Sequence, residues 1–135
     1  MLFSFGSCST LQRSMSNYIK ASVDGKAFRT NAVTGKSVAG KITIGGSTTS
    51  GSNAITLVVP ASIQPGTYKF TSSGNYTIQY KNKSHNLYAS SSGDLVISLH
   101  DKGLKKLRGT FTFKGRDINS TSVDVTLGSF NVTYF

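Results

Sequence analysis

His85, His100, the aspartates Asp24, Asp94, Asp101, Asp117 and Asp124, and the single cysteine Cys8 supply all the imidazole, carboxylate and thiol chemistry of this chain. Glycoside hydrolysis takes two carboxylates facing one bond. Here Asp24, Asp94, Asp101 and Asp117 fall in turn-like stretches, and only Asp124 sits inside a strand-like run. An Asp in a turn bonds its own backbone, which accounts for it without catalysis. The histidines have neither HExxH spacing nor a cysteine partner, so they specify no metal site. The serines include no G-x-S-x-G elbow. The expectation is a protein that is not an enzyme and that takes no metal and no cofactor.

What the chain has in abundance is positive charge: 15 Lys and Arg against five acids, for a formal net charge of +10. Its densest stretch is "HDKGLKKLRGTFTFKGR", residues 100–116, where Lys102, Lys105, Lys106, Arg108, Lys114 and Arg116 form a candidate anion-binding face. Side chains alternate across a strand. If Leu107, Phe111 and Phe113 face a core, then Arg108, Thr110, Thr112 and Lys114 face outward. A charge run of this kind is most simply a solvated face, and cations on an exposed strand also discourage edge-to-edge aggregation. A nucleic-acid groove would pair such charge with aromatic platforms. Phe111 and Phe113 share the inward phase of Leu107, so nucleic acid is not the expected partner. Asn75, Asn82, Asn119 and Asn131 each begin an N-x-S/T sequon, which matters only in a eukaryotic secretory setting.

The elements that must carry these residues read as strands. There is no Glu, and Ser, Thr, Gly and Asn are plentiful, which argues against long helices. "YIKASV" puts Ile19, Ala21 and Val23 on one face, and Asp24–Gly25 then turns the chain toward "KAF" as a hairpin. Ile42 and Ile44 alternate with polar neighbours, "GGSTTSGSN" reads as a flexible connection, and "AITLVV" as a mostly apolar strand. Pro65–Gly66 suits a type II turn. Beyond it, Tyr68 and Phe70 share a face, as do Tyr76, Ile78 and Tyr80. "NLYA" is a short strand and "SSSGD" a turn. Leu95, Ile97 and Leu99 are the inward set of "LVISLH", and residues 94–100 should pair antiparallel with 105–114. Near the end, Val123, Val125 and Leu127 are odd-numbered whereas Phe130, Val132 and Tyr134 are even. A bulge or bend at Gly128 and Ser129 would keep them on one face.

The fold expected is all-β: an antiparallel β-sandwich of roughly ten short strands, or alternatively a closed or partly open β-barrel. At 135 residues the chain fits one domain. A lone cysteine forms no internal disulfide, so packing alone must hold it. No apolar run approaches the roughly 20 residues of a membrane-crossing helix.

The N-terminus carries a further signal. "LFSFGSC" is apolar, ends in small residues and sets Cys8 where a lipoprotein signal places its acylated cysteine, although it lacks a basic n-region. Residues 1–17 therefore read as a remnant lipoprotein signal and polar tether, and residues 18–135 as a single all-β domain. From "ASVDGKAF" through "PGTYKF" and "GDLVISLHDKGLKKLRGTFTFKG" to "VTLGSFNVTYF", the chain resembles an uncharacterised family of small Bacteroidota lipoproteins, a domain of unknown function. That resemblance implies an all-β domain tethered to an envelope membrane, with no catalytic residues to carry over.

The expected role is thus a non-enzymatic, membrane-tethered lipoprotein of the cell envelope, on the outer membrane, acting as a binding or scaffold module. Its partners would be the membrane, through the lipid anchor at Cys8, and another envelope protein or complex, or an anionic glycan. The alternative is a soluble basic β-barrel module that binds nucleic acid or an anionic glycan.

Overall fold

The computed structural model describes residues 16–48 and 53–135. Among them there are ten strands and no helix: β1 (Tyr18–Val23), β2 (Lys26–Thr30), β3 (Val33–Val38), β4 (Lys41–Ser47), β5 (Ala54–Pro60), β6 (Gly66–Lys69), β7 (Thr77–Lys81), β8 (Leu87–Asp101), β9 (Lys106–Arg116) and β10 (Ser122–Thr133). All pair antiparallel in one sheet of order β2-β1-β10-β9-β8-β7-β5-β4-β3, with β6 also on β8.

That single sheet is nearly closed, so of the two expected architectures the barrel is the one formed. Closure runs along β2 and β3, which are almost one continuous strand. β2 pairs with β1, and β3 with β4. Ser37 N–H donates to the Phe135 carbonyl at 2.7 Å and Phe135 N–H to the Gly35 carbonyl at 3.1 Å, which joins β3 to the chain just past β10. Inward side chains fill the interior, as in other small barrels. Ile42, Ile44, Leu57, Val59, Leu95, Leu107, Val125 and Phe130 are among those sealed from water. Burying each such side chain stabilises the fold by roughly 1.5–3 kcal/mol.

The local rules that worked are visible. Asp24 and Gly25 take φ of 49° and 83° and close β1 onto β2 through the pair Val23–Lys26, the two positive φ values of a type I′ turn. The β8–β9 hairpin pairs Asp94 with Thr112 and His100 with Leu107. Leu107, Phe111 and Phe113 are buried, while Thr110, Thr112 and Lys114 are exposed.

Other expectations are corrected. "SSSGD" is not a turn, because β8 runs straight through it with a register shift between Ser90 and Ser92. The buried Ser90 hydroxyl donates to the Thr71 carbonyl at 2.8 Å, so a residue typical of turns is satisfied inside the sheet. Gly93 takes φ of 146°, and a Cβ there would lie 2.2 Å from the Thr112 carbonyl oxygen. Gly45, Gly46 and Ser47 are strand, not flexible connection, while residues 49–52 of that stretch lie outside the described residues. Gly46 is small because Ile19, Thr30 and Val33 crowd the site of a Cβ at 3.0–3.1 Å. Gly66 has φ of 156°, far from the roughly 80° of a type II turn, and opens β6.

The apolar phase of β10 does flip through a bulge. Val125 pairs with Phe113 and Gly128 with Phe111, so Thr126 and Leu127 together oppose Thr112. The bulge falls just ahead of the expected Gly128–Ser129, and Leu127 is not inward. It is 81% exposed with φ of 53°.

Candidate functional site

The antiparallel order sorts the connections onto two ends of the barrel. One end carries the β3–β4 turn, the β5–β6 link, the β8–β9 turn and the entry of the chain at Ser16–Asn17. There Asn131 Nδ2 donates to the Ser16 carbonyl at 3.3 Å and Thr133 N–H to Asn17 Oδ1 at 3.0 Å. We call this the entry end. The opposite end, the mouth, carries the β1–β2, β7–β8 and β9–β10 turns.

The cations singled out in the sequence do not form one cluster. Lys106, Arg108, Lys114 and Arg116 alternate along the outer face of β9 with Thr110 and Thr112 between them. At about 3.3 Å per residue, Lys106 and Arg116 stand roughly 30 Å apart. Lys102 and Lys105 join Lys106 and Arg108 at the entry end, whereas Lys114 and Arg116 lie toward the mouth. Arg108 Nε donates to Asn131 Oδ1 at 3.4 Å, and Lys114 Nζ lies 3.7 Å from Asp124 Oδ1. Phe111 and Phe113, at 3% and 4% exposure, offer no platform on which a base could stack. Cys8 lies outside the described residues.

Each aspartate has structural work. Asp24 Oδ1 accepts from Asp124 N–H at 2.8 Å, and Asp101 Oδ1 from Leu104 N–H at 2.9 Å. Asp117 Oδ1 accepts from the N–H groups of Asn119 and Thr121, and Asp94 pairs with Lys69. His100 spans the Ile63 carbonyl and the Tyr134 hydroxyl, each 2.7 Å away. His85 sits in the β7–β8 turn with φ of 66°. The two imidazoles therefore stand at opposite ends of β8, and among the described residues no three His, Cys, Asp or Glu side chains are grouped to hold a metal ion.

The feature that best fits a ligand was not singled out from the sequence. At the mouth, where β2 and β5 do not pair with each other, a cleft of about 450 Å³ opens between Phe28, Tyr80 and Tyr88 below and Asp24, Lys26, Asn53 and Lys83 on the rim. Its volume lies within the roughly 300–1,000 Å³ of small-molecule sites. The rings brace one another. Phe28 meets Tyr80 edge to face at 6.4 Å, and Tyr80 lies 6.1 Å from Tyr88. Burial, then the neighbouring Tyr88 and Asp24, push the Tyr80 phenol above its ordinary value of 10.0. The signal available was tyrosine rather than phenylalanine at inward positions near strand ends, since a buried hydroxyl needs a polar partner or an opening.

The model of a family described as Domain of unknown function (DUF6252) matches residues 15–133. No curated protein and no solved structure shows a significant match to the chain.

Proposed function

Because the chain belongs to the DUF6252 family of domains of unknown function, we propose that it is a non-enzymatic binding module of a Bacteroidota cell envelope. In this reading it is an outer-membrane lipoprotein, acylated at Cys8, that takes the end of an anionic glycan into the mouth of its barrel. The observation carrying the reading is the aromatic-floored cleft with lysines on its rim. Lys26 and Lys83 on the rim suit a carboxylate, with Asp24 the one acid lining the cleft, and the side-chain amides of Asn53 and Asn82 suit hydroxyls, while Phe28, Tyr80 and Tyr88, at 4%, 8% and 8% exposure, close the floor rather than offer a stacking face. A tether also fits the chain path, since Ser16 and Asn17 enter at the far end and leave the mouth facing away from the anchor. Binding rather than catalysis is supported by the structural partners that occupy every aspartate.

Two measurements test the two halves. Intact mass spectrometry of protein from its native host should find acyl chains on Cys8, and a soluble chain with an unmodified Cys8 would defeat the anchor. Calorimetry of the full chain with uronic-acid oligosaccharides should give saturable heat that the double variant Lys26→Glu/Lys83→Glu loses. No saturable heat, or heat indifferent to that variant, would defeat the glycan reading.

A further inference from the structure

The entry end combines two properties that the mouth does not. Three large apolar side chains project there: Val38 at the β3–β4 turn, 56% exposed, Leu104 in the β8–β9 turn, 69% exposed, and Phe135 beyond β10, 68% exposed. Backbone bonds hold them close together. Leu104 precedes Lys105, whose carbonyl accepts from Tyr134 N–H at 2.8 Å. Phe135 is bonded to Gly35 and Ser37, and Val38 is the next residue of β3. Two turn residues held at positive φ, Ala39 at 54° and Lys105 at 55°, set the adjacent tips.

The charge around these tips is predominantly positive. Lys36, Lys41, Lys102, Lys105 and Lys106 belong to this end, and Asp101, its one acid among the described residues, already accepts from Leu104 N–H. At the mouth, by contrast, Asp24, Asp117 and Asp124 offset the cations, and Ile118 projects from the β9–β10 turn.

We propose that the entry end is a contact surface for an anionic lipid bilayer, with Val38, Leu104 and Phe135 dipping among the headgroups and the lysines meeting their charge. Two observations favour lipid over a protein partner, and the tether reading proposed above agrees with them. The apolar groups stand on separate tips, which suits a fluid surface better than a flat complementary one. Lysine is depleted in protein–protein interfaces, whereas its long stem and charged head suit the membrane interface. The chain also enters at this end, on the side where the tether reading places the membrane. The contact itself needs no acyl chain, so it stands or falls separately from the mouth and from Cys8.

The test uses the full chain with Cys8→Ser, so that no acylation contributes. The natural sequence has no tryptophan, so Leu104→Trp introduces a single reporter at an exposed site, and Ile118→Trp is the matching reporter at the mouth. Adding phosphatidylcholine vesicles containing phosphatidylglycerol should blue-shift the Leu104→Trp emission and leave Ile118→Trp unchanged. Vesicles of phosphatidylcholine alone should shift neither reporter. Adding Lys102→Glu and Lys105→Glu should weaken vesicle binding at least tenfold. The proposal is overturned if the Leu104 reporter does not respond, or if the Ile118 reporter responds equally. It is also overturned by a shift that grows with protein concentration without lipid, which marks a second copy, or by an equal shift with duplex DNA at about 200 mM salt, where screened attraction alone no longer holds DNA, which marks a general polyanion surface.

Discussion

Tyr80 and Asn53 meet side by side at the mouth: the Tyr80 hydroxyl donates to Asn53 Oδ1 at 3.1 Å, tying β7 to the segment that enters its neighbour β5. Burial raises the Tyr80 phenol, and burial followed by Asp101 raises that of Tyr134. A raised folded value means the stability these groups contribute is complete below the ordinary tyrosine value of 10.0 and is lost as pH rises through the folded value.

Denaturant unfolding should therefore show a loss of stability above about pH 10. Tyr80→Phe should cost about 0.5–1.5 kcal/mol near neutral pH through the lost hydrogen bond, yet make the alkaline fall shallower. An unchanged alkaline slope in the variant would contradict the assignment.

Phe111→Ala should destabilise the domain by about 3–5 kcal/mol, as for other buried rings. Phe111 is sealed in the core and lies 6.3 Å from both Phe113 and Phe130. A melting temperature equal to that of the parent would place the ring outside the core.

Leu127→Asn should stabilise by about 0.5–1 kcal/mol, because the left-handed region costs an L-residue roughly 1–2 kcal/mol and Asn enters it more readily than Leu. The exposed leucine gives up little packing in exchange. The check is the denaturant midpoint, which should rise with no change in slope.

The outer face of β9 should bind duplex DNA only through screened attraction. Retention on DNA at about 50 mM salt should be lost by about 200 mM. Binding that survives that change would mean a shaped site that the separated ends of β9 do not provide.

Where a rule acts within a few residues, the sequence was legible. The alternation of Leu107, Phe111 and Phe113 and the Asp24–Gly25 turn each depend on neighbours alone. Closure was not, because it rests on contacts such as Ser37 with Phe135, which no local period encodes. Ser90 and Gly46 misled for a related reason. Their types signal turns and flexibility, but a bond to Thr71 and crowding by Ile19, Thr30 and Val33 reassign them to strands. The cation row was read correctly as outward, while its separation into two ends needed the length and orientation of β9. The mouth cleft draws on β1, β2, β7, β8 and residues between strands, so only the folded sheet assembles it.

Because β1 pairs with β10, with Ile19 opposite Phe130, a ribosome delivering the chain from its N-terminus cannot complete β1 until nearly the whole domain has been made. Contacts this distant in sequence place the protein among slow folders, in the millisecond-to-second class. A chain still emerging from the ribosome therefore has a barrel that has not yet sealed. A product truncated ahead of β10 would leave one edge of both β1 and β9 unpaired, two templates for aggregation where the finished barrel offers neither.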